Sequence, residues 1–326
     1  VVKCIGFSNF ITAVPFSHPE SPSYVGIDEK REWILHVLHA SLRLAPASLC
    51  DFAVCVLSTI STCQDAIANP SRDNMTSGQV QRTKTRVLQL WSLFPDFCYY
   101  APTDVPQFFP RLLSELEGAL KNGNNGLEGS KEIVAQVLSG LTNLAQGAMG
   151  RACSSAPVAE MEGQLAKVNI YNRGSIAQTP EYVTLNAQAT TILPAILTYL
   201  EGCEPTDYTF AMTVRCVNAW SGIAPPNLVT AVAKKLLQLL LQSTTASAGA
   251  GVVDQEQEAA ASGWMSILLA VVPFLPQQMV HILYKTVKPM LSVHESVSSQ
   301  KRAYSILDSV LEIHGDALYE KEPSSD

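Results

Sequence analysis

Apolar residues recur along this chain at intervals of three and four, with polar residues on the opposite face, and no segment sustains the two-residue alternation of a half-buried strand. The pattern predicts helices over 27–44, 47–68, 77–94, 106–121, 128–147, 157–168, 180–201, 206–220, 226–242, 254–272, 277–291 and 295–314. Pro46 stands where a helix opens, a position that needs no N–H donor. Pro194 falls inside an apolar helical run and is expected to kink or divide it. Three polar stretches interrupt the pattern, near 122–126, 169–179 and 243–251. The first, Asn-Gly-Asn-Asn-Gly, is built from residues that tolerate positive φ; the other two read as a polar connector and a flexible loop. Apolar helices resume on both sides of each. The expectation is therefore one continuous helical array over 1–326, cut from a longer protein.

Tryptophans give the array a register. From Trp91 to Trp220 is 129 residues, three steps of 43, and from Trp220 to Trp264 is 44. Each sits in an apolar run that leads to a proline, as in Leu90-Trp-Ser-Leu-Phe-Pro95, and then to a second apolar helix such as Arg111-Leu-Leu-Ser-Glu-Leu or Lys235-Leu-Leu-Gln-Leu-Leu. A further step of 43 reaches Leu307 in another apolar helix, whereas one skipped step lands in the polar stretch near Asn172. A period of about 40–47 residues is what two-helix HEAT or armadillo repeats produce. Each such unit has an apolar face that only its neighbour covers, so the units stack. The predicted fold is all-α, a HEAT/armadillo-like solenoid, and its function class is scaffold or binding surface.

Composition narrows the classes further. The 326 residues are 47% hydrophobic and only 16% charged, against about 25% charged in an average globular protein. A surface with so little solvated charge suits an array whose faces are covered by partners. The net charge of −7 argues against free, non-specific nucleic-acid binding, which needs an excess of Lys and Arg. Eight cysteines form no CxxC pair, so buried reduced thiols are expected and not zinc or a disulfide framework. The apolar stretch 259–276 contains Pro273, and its apolar centre is shorter than the ~20 residues of a membrane span. A buried repeat helix is the expectation there, with no membrane partner.

Motifs for catalysis are missing: there is no GxSxG, P-loop, HExxH or strand-linked glycine fingerprint, so no enzymatic activity, cofactor or small-molecule substrate is expected. His36 and His39, with Glu32, share a helical face, but no fourth metal ligand is near in sequence, and histidines at a helix contact or facing water are the expectation. Arg82, Lys84 and Arg86 form the densest basic run. Arg82 and Arg86 share a helical face as a candidate RNA or partner contact, with a solvated face as the alternative. Lys301 and Arg302 open the last helix and are candidates to meet RNA or an acidic partner, or the adjacent repeat.

Two segments resemble a known family. Leu90-Trp-Ser-Leu-Phe-Pro-Asp-Phe-Cys98 with Ala101-Pro-Thr-Asp104 is similar to the Trp-x-Leu-Leu-Pro-x-Phe-Cys…Pro-x-Asp signature of the ribosomal RNA processing protein twelve-like family, with Phe94 in place of leucine and a slightly stretched Pro–Asp spacing. Ile282 to Leu291, leading to Ser299-Gln-Lys-Arg-Ala-Tyr-Ser-Ile-Leu-Asp308, resembles the same family's Lys-Pro-x-Leu…Gln-Lys-x-Ala-Tyr pattern, and Thr191 to Leu197 its Leu-Pro segment. The resemblance covers about 85–315. It implies a non-catalytic HEAT-repeat scaffold of pre-ribosomes, acting in small-subunit pre-rRNA processing and nuclear export, located in nucleolus and nucleus and shuttling to the cytoplasm. Its partners would be pre-rRNA, assembly proteins, export machinery and a Ran-like GTPase. A karyopherin-like transport receptor or adaptor is the alternative. Trp91, Pro95, Phe97 and Cys98 are expected to be packing residues of the motif.

Overall fold

A computed structural model describes residues 6–16, 33–44, 47–72, 74–100, 102–123, 129–153, 179–247, 255–292 and 297–319. All regular structure among them is helical. The expected helix over 157–168, the connector over 169–178, Glu32, and parts of the other two expected loops lie outside the described residues.

The chain divides into two compact units, 1–167 with 175–188, and 168–174 with 189–326. In unit 1 the helices are α1 (Phe7–Ala13), α2 (Trp33–Leu42), α3 (Leu49–Ala68), α4 (Ser77–Trp91), α5 (Phe94–Cys98), α6 (Val105–Asn122) and α7 (Ser130–Cys153). Helix α8 (Pro180–Glu201) begins in unit 1 and ends in unit 2. Unit 2 continues with α9 (Tyr208–Ile223), α10 (Pro226–Ser247), α11 (Gln255–Val271), α12 (Gln277–Val287) and α13 (Val297–Tyr319).

Prolines end these helices through the donor they lack. A helix continuing past Trp91 would need the N–H of residue 95 to bond the Trp91 carbonyl, and residue 95 is proline. The expected single helix over 77–94 therefore stops at Trp91, and the chain turns into the short α5. Pro225 and Pro273 follow α9 and α11 in the same way, and after α11 the chain tightens into a 3₁₀ turn over Val272–Phe274. Pro194 does not divide its helix, since α8 runs unbroken from Pro180 to Glu201. Nor does apolar spacing signal the π-helical turn over Phe52–Leu57 in the middle of α3. That helix is long and apolar enough to cross a membrane by length and composition. Its Phe52, Val56, Ile60 and Cys63 are buried, and its main neighbour is α4.

Packing within each unit follows the order of the chain. In unit 2, α9 packs on α11 and α11 on α13, while α10 packs on both α11 and α12. A helix that touches its successor and its second successor is what stacked helix pairs produce, with alternate helices forming two layers. In unit 1, α3 packs on α4, and α7 packs on α4, α5 and α6. The tryptophan register is only approximate. Trp91 ends α4 and Trp220 lies three residues before the end of α9, but Trp264 falls seven before the end of α11 and is half-buried. The residue of α11 that matches Trp220 in position is Leu268, fully buried. The repeat unit is thus defined by where helices end and not by the indole itself.

Candidate functional site

The family-like segment around Trp91 forms a corner between α4 and α5. Phe52 of α3 lies against Trp91, Phe94 and Phe97, with ring centroids 6.1, 5.0 and 5.4 Å away, and Phe7 of α1 meets Phe97 edge-on at 4.9 Å. Trp91, Phe97 and Cys98 are buried, and Pro95, half-buried, opens α5. Helix α7 reaches this corner because residue 140 is glycine: a Cβ there would lie 2.3 Å from Cδ1 of Phe94. The Pro95 carbonyl is left without a helical donor, since the Tyr99 N–H turns back to Asp96. The Asn143 side-chain amide of α7 donates to that carbonyl at 2.9 Å.

Within the motif, Asp96 is a carboxylate only 4% exposed. Arg43 Nε, one residue past the end of α2, donates to its Oδ1 at 2.7 Å, and His39 Nδ1 of α2 holds its Oδ2. His39 Nε2 meets the Ser92 hydroxyl at 3.1 Å. The hydrogen bond and charge of Asp96 push the Arg43 pKa up. His39 and Arg43 are four apart, and the Arg43 N–H still bonds back to the His39 carbonyl, so a single carboxylate ties the end of α2 to the corner. His39 is therefore a helix-contact histidine. Asp104, the last residue of the same motif, plays a related part. Its carboxylate accepts from the Ser48 hydroxyl at 2.6 Å and from the N–H groups of Leu49 and Cys50 at 3.1 and 3.0 Å. A negative charge on the first N–H groups of α3 satisfies donors that the helix cannot.

The basic run on α4 is split by burial. Arg82 is exposed, Lys84 half-buried, and Arg86 only 3% exposed, on the inner side of the helix near Cys63. Arg86 therefore drops out of the expected surface ridge, because its position also falls in the apolar stripe formed with Thr83, Val87 and Leu90. Burial pushes the Cys63 thiol up to about 11, partly offset by the Arg86 charge, and pushes the Cys98 thiol up as well. None of the six cysteines whose side chains are described forms a disulfide. Lys301 and Arg302 are exposed on the first turns of α13. The structure brings Arg302 together with Arg215 of α9, a residue that the sequence did not single out, on the wall of one cleft. Arg82 and Lys84 lie in unit 1 and do not share that cleft.

Unit 2 has its own helix-end contacts. The Asn218 amide of α9 donates to the Ala270 carbonyl in the last turn of α11 at 2.6 Å, and His314 Nε2 of α13 meets the Val272 carbonyl at 3.0 Å. The end of α11 is thus held by α9 on one side and by α13 on the other.

Comparison with known proteins matches this architecture to a described family. Residues 1–198 match the family model "Ribosomal RNA-processing protein 12, HEAT repeats". Over 286 residues the chain is 23% identical to the putative ribosomal RNA-processing protein 12 of Schizosaccharomyces pombe, an alignment that takes in 87% of this chain and 23% of that protein. The chain spans less than a quarter of the length of that relative. With the matched region covering more than half of the chain, and with the stacked helix pairs seen in both units, the chain belongs to the HEAT-repeat family of ribosomal RNA-processing protein 12.

Proposed function

We propose that this chain is a non-catalytic segment of a ribosome-biogenesis scaffold that supports small-subunit pre-rRNA processing and nuclear export of pre-ribosomal particles. The observation that carries the reading is the family match over 1–198. The architecture supports it, because stacked helix pairs offer long faces on which many weak contacts add up. On this reading the chain forms one continuous solenoid with the rest of its protein. It works in nucleolus and nucleus, with passage to the cytoplasm in company with its cargo. Its partners are pre-rRNA and assembly proteins, with a Ran-like GTPase and export machinery joining at the export step.

With a net charge of −7, RNA contact is local. Arg82 and Lys84 on α4 and Lys301 on α13 are the residues proposed to carry it, each adding a salt-sensitive phosphate contact. Depletion of the full-length protein, rescued by wild type or by R82E/K84E, tests this. The expected result is accumulation of small-subunit precursor RNA, restored by wild type and only partly by the variant. Accumulation of no rRNA precursor would contradict it, and nucleotide-dependent binding to a Ran-like GTPase without any pre-rRNA would favour the transport-receptor alternative.

A further inference from the structure

Unit 2 contains a cleft of about 690 Å³. Its walls come from three helices, with Phe210, Val214 and Arg215 from α9, Gly263 and Ser266 from α11, and Arg302 from α13. Gly263 sets the close approach of α11, since a Cβ there would lie 3.2 Å from both Phe210 Cζ and Pro205 Cγ. The lining combines the apolar side chains of Phe210 and Val214 with hydroxyls such as Ser262 and Ser266 and with the two guanidinium groups. Among the described residues neither Arg215 nor Arg302 makes an ion pair or hydrogen bond through its side chain. Both are exposed.

Two guanidinium groups that are always charged, and that offer planar pairs of N–H donors, match carboxylates or phosphates. The surroundings decide between these. A nucleic-acid backbone is held by a run of cations along its track, whereas this cleft has two, sharing its lining with Phe210, Val214 and the Asp207 carboxylate. That carboxylate is turned to its own helix, where Oδ1 accepts from the Thr209 N–H at 3.2 Å. Phosphates gain nothing from the apolar side chains. A peptide with carboxylates beside an apolar side chain uses both parts of the lining, which is the arrangement by which arginine clusters read acidic motifs.

We propose that this cleft is a docking site for a short acidic peptide segment of a partner protein, with carboxylates on Arg215 and Arg302 and an apolar side chain on Phe210 and Val214. The proposal does not depend on the pre-ribosome reading and stands or falls separately from it.

The test selects short random peptides displayed on phage against the 326-residue chain, then measures fluorescein-labelled copies of the enriched peptides by anisotropy. Enriched peptides are expected to combine Asp or Glu with a large apolar residue. Arg215→Glu with Arg302→Glu should weaken them by about tenfold or more, the loss of charge-assisted hydrogen bonds. Ala211→Trp, which fills the cleft from an exposed position of α9 while keeping both arginines, should weaken them as well. Arg82→Glu, in the other unit, should leave them unchanged. Circular dichroism of each variant shows whether the helices persist. The proposal is overturned if no peptide is enriched, if the enriched peptides lack acidic residues, or if folded variants bind them as wild type does. It is also overturned if an oligouridine probe, and no peptide, depends on Arg215 and Arg302.

Discussion

In unit 1 the corner between α4 and α5 is filled by five aromatic rings and tied by a buried carboxylate, whereas in unit 2 the ends of α9 and α11 are filled by Trp220, Ile223, Leu268 and Val271. The buried polar side chains differ accordingly. The described part of unit 1 buries Thr83, Arg86, Asp96 and Glu181, while that of unit 2 buries Thr209, Thr213, Ser221, Ser299 and His314. What the units share is smaller: a proline that stops a helix, and an asparagine amide that takes up a carbonyl close to the stop, Asn143 on Pro95 and Asn218 on Ala270. The helix end and its polar clamp are constant, and the filling varies. Such a division lets different stretches of a long scaffold keep one repeat geometry while presenting different surfaces.

The comparison can be broken most forcefully at Phe52, which touches three of the other four rings. Phe52→Ala should cost about 4 kcal/mol in urea unfolding, the range for a fully buried phenylalanine. A loss under about 1 kcal/mol would mean that the ring cluster is not what holds the corner. Next come the two glycines. Gly140→Ala should destabilise by about 2 kcal/mol, because Phe94 is fully buried and its ring cannot retreat. Gly263→Ala should be close to neutral, since half-exposed Phe210 can give way and alanine favours helix by about 1 kcal/mol. Equal effects would erase the distinction between a tight corner and an open cleft.

Asp96→Ala removes the partner of His39 and Arg43 and should cost about 2 kcal/mol, as for hydrogen bonds to a charged group. In unit 2, Thr213→Val removes only a hydroxyl bonded within its own helix at 2.8 Å and should cost less than about 1 kcal/mol. Asn143→Ala and Asn218→Ala should each cost about 1 kcal/mol, and similar values in the two units would support a shared clamp. The last prediction concerns pH. A folded-state thiol pKa raised to about 11 at Cys63 favours the folded state fully below the unfolded thiol range. That contribution is lost as pH rises from about 9 to 11, a window in which Cys63→Ser should flatten the fall in stability.

Much of this fold was legible in the sequence, for reasons visible at particular residues. Apolar spacing marked nearly every described helix, and the bounds of α8 agree with it at both ends, because Pro180 opens that helix and its apolar stripe runs out at Glu201. Charge was harder to read than hydrophobicity. Arg86 looks like half of a surface pair with Arg82, yet it shares the inward face with Val87 and Leu90. Asp96 stands between Pro95 and Phe97, where a lone carboxylate reads as solvent-facing. The available signal lay at the end of α2, where His39 and Arg43 put two possible cations four residues apart. Arg215 carried no signal at all, because its role depends on α13 bringing Arg302 to the same cleft, and that juxtaposition is set by helix stacking across more than 80 residues.

These stacked helices are proposed to serve a pre-ribosome. Sucrose-gradient sedimentation of the tagged full-length protein, with pre-rRNA probed across the fractions, tests it most directly. The account predicts co-migration with small-subunit precursor RNA that survives moderate salt and weakens at high salt. Migration only as free protein, clear of every precursor, would contradict it.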